Sequence, residues 1–334
     1  SDIDVRYIGD NLGILRVLKI FPDILSDTIQ NRVYLKAYET DSRKIQDVEK
    51  IEQESEENSG IDQEGKTGLY HNSQQASICV FPDGSFGSEG FKRYISESSG
   101  GSLQSAVLGK SSQVSYVLNL KPLDSNGKAL KSIKAFINEN GTNFDNRLDQ
   151  LSKISIKFAN VVMQLFNRIN NPEKKGSSFV YCNWVKGSGC ILFANILEIF
   201  GFRKARGGET DEKLRYGLLT SAVATDNQIS SLIETFNQSA NKYGKIINVI
   251  IGSKVIGEGI SLKNVQDIHV LTPHWNYTVT EQALTRAIRA FAHNELKKIN
   301  PSVNVNVYLH STIPTIFENN QETPDVDSSI DVRM

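Results

Sequence analysis

Two stretches of this 334-residue chain have the residue types and spacing of phosphate chemistry. The first is GIDQEGKT, residues 60–67, which fits the phosphate-loop pattern G-x-x-x-x-G-K-[ST] through Gly60, Gly65, Lys66 and Thr67. Such a loop works because backbone N–H groups cradle the phosphates where an apolar strand turns into a helix. Here the lead-in is EQESEENS, too polar for a buried strand, and the follow-on GLYHNSQQAS opens with glycine and shows no apolar helical stripe. Asp62 and Glu64 also put two carboxylates where a triphosphate would sit. The match therefore reads as a chance one inside a polar insert. No apolar strand ends in an Asp-Glu pair able to hold magnesium, since Asp211-Glu212 follows RGGET as a surface turn. The five histidines are scattered and Cys79, Cys182 and Cys190 lack zinc-ligand spacing, so no metal site is expected and a reducing compartment is.

The second stretch is IIGSKVIGEGISLKNVQDIHVLTPHWNYTVTEQALTRAIRAFAHNEL, residues 250–296. A strand rich in β-branched residues runs into a loop with Gly257, Glu258 and Gly259, where backbone can approach a ligand closely. A second strand leads to a helix, opened by a Thr278–Glu281 capping box and running to about Phe291. On that helix Gln282, Arg286 and Arg289 stand at i, i+4 and i+7, with Leu284, Ala287, Ile288 and Phe291 on the face opposite. An amide and two guanidiniums at the carboxyl edge of a sheet suit a triphosphate and the charge that develops on its γ-phosphoryl group. An isolated stripe of this kind would more readily be a solvated helix. The succession of loop, strand and helix is what favours phosphate.

The elements that must position these residues follow from hydrophobic periodicity. SKISIKFANVVMQLFNRI reads as an amphipathic helix with Ile156, Phe158, Val162, Leu165 and Phe166 near one face. FVYC (179–182), GLLTSAV (217–223), KIINVIIGS (245–253) and DIHVLTP (267–273) read as strands, and VNVNVYLH (303–310) alternates as an edge strand would. Helices are expected over 190–202, closed by Gly201, and over 226–237, with Asp226 as cap. Strands alternating with helices of ten or more residues predict an α/β domain over 151–315, a parallel sheet with helices on both faces.

Residues 1–150 read differently. An acidic low-complexity segment at about 46–66 is expected to be a disordered insert, ISESSGGSLQS (95–105) a flexible break, and the whole an irregular linker and insertion region. Residues 316–334 read as an acidic tail, truncated at SSIDVRM. Charge is uneven along the chain: 17 basic against 22 acidic residues in 1–150, 19 against 11 in 151–310, and 1 against 5 in 311–334. The basic middle suits a surface that follows a phosphate backbone. No run approaches the length of a membrane span, and the N-terminus has no signal-peptide pattern.

At the residues of the second stretch the chain resembles the C-terminal, RecA-like motor lobe of superfamily 2 helicases and DNA-dependent ATPases. GSKVIGEGISL looks like motif V, QALTRAIRA like motif VI (usually Q-x-x-G-R-x-x-R), and SFVYCNWVKGSGCILFANILEIFGF (178–202) like motif IV. PHWN, NQSANKYGKIINVIIGS and FPDGSFGSEGFKRYI resemble the narrower helicase-like set of large cytoplasmic DNA viruses, related to poxvirus nucleoside triphosphatase I and the small subunit of the early transcription factor. The resemblance covers about residues 70–330. It implies Arg289 as the arginine finger on the γ-phosphate, with Arg286 beside it and Gln282 orienting them. It places Glu258, Gly259 and Ser261 near the nucleotide, Gly259 and Ser261 towards its ribose, and Ser253, Ser221 and Asn183 along the nucleic-acid backbone. Thr285 stands where motif VI usually has glycine, and Ser261 where many relatives have Asp.

The resemblance also implies ATP with Mg2+, held mainly by a missing N-terminal RecA-like lobe, DNA or RNA as partner, and viral transcription machinery as a further one. It implies an intracellular setting, the cytoplasm or the virion, and no membrane. Two other readings stand beside it. One is a non-catalytic nucleic-acid or protein interaction subunit that kept the fold. The other is a nucleotide-sugar transferase lobe, which would account for Glu258 but not for the two arginines.

Overall fold

The computed structural model describes residues 15–54, 70–100, 113–171, 176–253, 260–273, 281–282, 284–289, 291–318 and 321–333. The GIDQEGKT stretch, Gly257, Glu258, Gly259 and Thr278 lie outside them. In chain order the elements are β1 (Leu15–Ile24), α1 (Ile29–Glu54), α2 (His71–Ile78), α3 (Gly87–Tyr94), β2 (Ile95–Gly100) and β3 (Gln113–Leu118). There follow α4 (Ile133–Ile137), α5 (Phe144–Ser152), α6 (Ile156–Asn170), β4 (Ser177–Tyr181), α7 (Cys190–Ile199), β5 (Arg203–Lys204), β6 (Arg215–Leu219) and α8 (Asp226–Asn237). The last are β7 (Val249–Gly252), β8 (Val265–Val270), α9 (Asn294–Ile299), β9 (Asn304–Ile313), β10 (Thr315–Glu318), β11 (Gln321–Pro324) and α10 (Ile330–Arg333).

Seven strands form one sheet in the order β1-β9-β8-β4-β7-β6-β5, and every pairing in it is parallel. Its central strands β4, β6 and β7 are buried along their whole length, as near-continuous apolar runs require. One face carries α6 and α7, whose Phe158, Val162, Leu165, Phe193 and Leu197 pack on Val180, Val249 and Ile251. The opposite face carries α8, whose Leu232 and Phe236 join Phe179, Ile250, Leu284 and Ala287. Thr225 caps α8 in a reciprocal capping box with Gln228, so the cap lies one residue before the expected Asp226.

Five expectations change. The 151–315 unit does not hold the whole sheet: β1, from the stretch read as linker and insertion, pairs with β9 in register from Leu15↔Asn304 to Ile24↔Ile313. β9 is therefore an inner strand, since both of its edges are paired. Alternation along β9 reflects one polar, helix-covered face rather than an edge position. The acidic segment begins inside α1, which continues to Glu54, and Ile95–Gly100 is strand β2 paired antiparallel with β3 rather than a break. The segment after 315 is not a loose tail either. It makes the β10–β11 hairpin and buries Ile330 at 1% exposure and Asp331 at 8%.

What brings the distant segments in is a buried polar layer between α6 and the sheet. Asp23 of β1 accepts from Asn160 Nδ2 at 2.6 Å and from His310 Nδ1 at 3.0 Å. His310 Nε2 lies 3.1 Å from His269 Nδ1, and all three side chains are fully buried. A carboxylate can only accept, so His310 donates from Nδ1 to Asp23, and the contact between His310 Nε2 and His269 Nδ1 shares a single proton. His269 Nε2 has no hydrogen-bond partner among the described residues, and its ring stacks on Tyr308. Nearby, Arg168 of α6 binds Asp267 of β8 through both Nε and Nη2, and Asn306 Nδ2 donates to the same carboxylate at 2.9 Å.

Burial, reinforced by His310 and Arg168, holds the His269 imidazole well below its ordinary range. Burial lowers His293 too, with its bond to the Val265 carbonyl opposing. Both folded-state values are depressed, so the unfolded chain takes up protons that the fold refuses, and stability is lost as pH falls below about 6.5. The unfolding free energy should drop by up to about 1.4 kcal/mol per pH unit for each such imidazole. His269→Gln should flatten that slope relative to the parent in urea titrations run from neutral to mildly acid pH. An unchanged slope would remove His269 as its source.

Candidate nucleotide and nucleic-acid interface

Because the sheet is parallel, the loops after β4, β6, β7 and β8 all leave from its carboxyl edge. Asn183, Ser221 and Ser253 therefore share that edge, joined there by Thr272. Asn183 is held twice: its N–H donates to Thr272 Oγ1 at 2.9 Å and its side-chain oxygen accepts from Tyr181 Oη at 2.8 Å. Leu271 N–H donates to the Tyr181 carbonyl at 2.9 Å, so the β8 exit is tied to the β4 exit. Ser221 is exposed. Ser253 is 1% exposed, and its hydroxyl has no hydrogen-bond partner among the described residues. An unsatisfied buried hydroxyl calls for an explanation, and at a strand's carboxyl end a ligand atom supplies one.

The segment bearing Gln282, Arg286 and Arg289 is not the continuous helix that the spacing predicts. Residues 281, 282 and 284 are helical, 285–287 form turns, and Phe291 has φ of 67°. Hydrogen bonding explains the break. The Arg286 carbonyl accepts from Leu262 N–H at 2.9 Å and the Ala292 carbonyl from Asn264 N–H at 3.0 Å, so both are diverted to the neighbouring chain. Ala287 N–H reaches only three residues back, to the Leu284 carbonyl, which tightens the turn. Asn264 accommodates its side of this pairing at φ of 57°, a conformation asparagine tolerates. Leu284 and Ala287 are buried as expected and Ile288 partly so, but Phe291 stands 57% exposed rather than lining the apolar face.

Glu281 pairs with Arg16 of β1, whose Nη1 reaches both carboxylate oxygens at 2.8 and 3.0 Å, while Thr278, its expected capping partner, lies outside the described residues. Gln282 and Arg289 are exposed and Arg286 half-buried. Arg289 Nη1 donates to Ser261 Oγ at 2.8 Å, which joins two of the predicted site residues directly. Arg286 lies close enough to Tyr181 that its charge opposes the rise in the phenol's pKa caused chiefly by burial. Arg286 thus acts on Tyr181 through its charge, and Arg289 is bonded to the Ser261 loop. Glu258 and Gly259 fall outside the described residues.

Sequence reasoning missed Tyr181, Thr272 and Arg16. Tyr181 and Thr272 sit at strand ends beside residues that were singled out, a signal that could have found them. Arg16 carried none, being 265 residues from its partner. No group of three or more His, Cys, Asp or Glu side chains among the described residues is placed to hold a metal ion.

Ser253→Ala separates fold from function. Removing an unpartnered hydroxyl should leave stability unchanged or raise it by up to about 1 kcal/mol, read by denaturant unfolding. A loss of more than that would show the hydroxyl to be satisfied within the protein.

Residues 157–291 match the family described as Helicase conserved C-terminal domain. Over 310 residues the chain is 32% identical to "Putative helicase 087L" of Invertebrate iridescent virus 3, covering 92% of this chain and 25% of that protein. It is 37% identical over 164 residues to "Putative helicase 009L" of Frog virus 3, covering 49% of this chain and 16% of that protein. It is 29% identical over 188 residues to the early transcription factor 70 kDa subunit of Fowlpox virus, covering 55% and 28%. The chain thus spans about a quarter or less of the length of the first two relatives. Residues 157–291 are thus similar to a helicase C-terminal domain, and the chain is similar to viral proteins named as helicases and to a poxvirus transcription factor subunit. No described helix is long and apolar enough to cross a membrane.

Proposed function

We propose that this chain, built around a helicase conserved C-terminal domain, is the second motor lobe of a nucleic-acid-dependent ATPase used in viral transcription or genome handling. The observation that carries the reading is the arginine segment itself, clamped by backbone to residues 262–264 and joined to that stretch again through Arg289 and Ser261. Arg289 is the arginine finger, parked on Ser261 until a γ-phosphate draws it away. Arg286, against Tyr181, supplies a second guanidinium, and Gln282 orients the pair. Serine at 261 is a neutral acceptor that holds Arg289 without neutralising it, as an aspartate there would.

ATP with its magnesium brings the phosphoryl group whose spreading charge these cations meet. The carboxylates and phosphate loop that hold them belong to the partner lobe. Asn183, Ser221 and Ser253 form part of the track for a DNA or RNA backbone, and the basic excess of 151–310 steers that backbone in. Kinship with viral helicases and a transcription factor subunit supports action in the cytoplasm or the virion, beside the transcription machinery.

The test uses the longer polypeptide that contains this chain and an upstream lobe. Arg289→Ala should lower nucleic-acid-stimulated kcat about 1,000-fold or more with nucleotide binding little changed, because a finger acts on the transition state. Full activity in that variant would end the finger assignment and favour a non-catalytic interaction module.

A further inference from the structure

Lys157, in the first turn of α6, is a fully buried cation that belongs to none of the groups described above. Its Nζ donates to Asp331 Oδ2 at 2.7 Å and to the Leu271 carbonyl at 2.8 Å. The carboxylate arrives from α10, 174 residues further along the chain. Asp331 Oδ2 also accepts from Thr312 N–H at 2.8 Å, at the carboxyl end of β9.

The segment around Asp331 is fastened as a strap. Tyr34 Oη donates to the Ser328 carbonyl and accepts from Ile330 N–H, both at 2.8 Å. Ser329 Oγ donates to the Thr312 carbonyl at 2.6 Å, and Ile330 is buried in the core under α1 and α6. These contacts would hold the strap without any charge. An ammonium strips poorly of water, so its burial needs a reason beyond anchorage, and an apolar pair of similar volume anchors as well or better.

What an apolar pair cannot do is hold a carbonyl. Leu271 is the residue at which β8 ends, and it is gripped at both of its polar groups: its N–H by Tyr181 of β4, its C=O by Lys157. The next residue is Thr272, whose hydroxyl takes the Asn183 N–H. One continuous path of hydrogen bonds therefore runs from Asp331 through Lys157 to Leu271, and by one peptide step to Thr272 and Asn183.

We propose that Lys157 and Asp331 are positioning residues: they set the exit of β8, and through it Thr272 and Asn183, in the arrangement with which the carboxyl edge meets a nucleic-acid backbone. The strap is then a working part of the motor lobe although it lies beyond residues 157–291. In its binding arm alone, the inference rests on the reading of that edge as a nucleic-acid track.

The experiment compares the parent 334-residue chain with Lys157→Met/Asp331→Leu and with Thr272→Val. The double variant replaces the ion pair with apolar groups of similar size, and Thr272→Val removes the acceptor of Asn183 N–H while leaving the strap untouched. Amide hydrogen exchange is read at Asn183 and over 328–331, and affinity is read with a fluorescent single-stranded DNA 20-mer. In the double variant, exchange over 328–331 should stay as in the parent, while Asn183 exchanges at least about tenfold faster and affinity falls about fivefold or more. Thr272→Val should reproduce both changes at the edge.

Parent-like exchange at Asn183 in a double variant whose strap remains docked would overturn the proposal, leaving the ion pair as an anchor only. Should the strap of the double variant come free, Thr272→Val decides: parent-like exchange and affinity there break the last link. Failure of the parent chain to bind the oligonucleotide would count against the nucleic-acid reading, while exchange at Asn183 would still decide the positioning.

Discussion

Parallel pairing of β4 with β7 on one side and β8 on the other sends three loops out of the sheet at one edge. Everything assigned to this chain's chemistry hangs on that geometry. Antiparallel pairing at either seam would carry Ser253 or Thr272 to the far edge, away from Asn183. Parallel strands need crossovers, and α7, α8 and the 271–292 stretch are what the chain uses to make them. The arginine segment is thus a crossover that also carries the cations. Its two duties conflict, because a continuous helix would satisfy its own carbonyls, whereas here the carbonyls of Arg286 and Ala292 serve residues 262 and 264.

A second constraint acts on the other face. α6 presents Lys157, Asn160 and Arg168, at i, i+3 and i+11, and each takes a carboxylate from a different part of the chain: Asp331, Asp23 and Asp267. The two ion pairs among them add little net stability once desolvation is counted, but buried polar contacts of this sort tolerate few alternative arrangements. They fix which strand docks at the sheet's edge and in what register. The His269–His310–Asp23 chain extends the same logic across β8, β9 and β1.

The parts of the fold that local pattern dictates were legible in the sequence. The strands at 177–181, 249–252 and 265–270 announce themselves by β-branched apolar runs, and α8 falls at 226–237 as its periodicity predicts. What was not legible depends on long-range pairing. LRVLKIFPDI holds a proline and three charged residues and stands apart from the strand–helix alternation of 151–315; it joins the sheet because ten residues of β9 pair with it and Asn160 satisfies Asp23. The strap at 325–333 looks acidic and loose until Lys157 is seen to need a counter-charge. At the site, residue types named Arg286 and Arg289 and the family resemblance named Ser261, and the structure joins Arg289 to Ser261 directly. The i, i+4, i+7 face that suggested the arginines was drawn from a helix that breaks before its end.

We propose that this chain holds half of an ATP site. The test is hydrolysis of ATP by the 334-residue chain alone, with and without nucleic acid, alongside Lys66→Ala. No turnover above background is expected in either protein. Turnover by the parent chain that Lys66→Ala abolishes would make GIDQEGKT a working phosphate loop and contradict it.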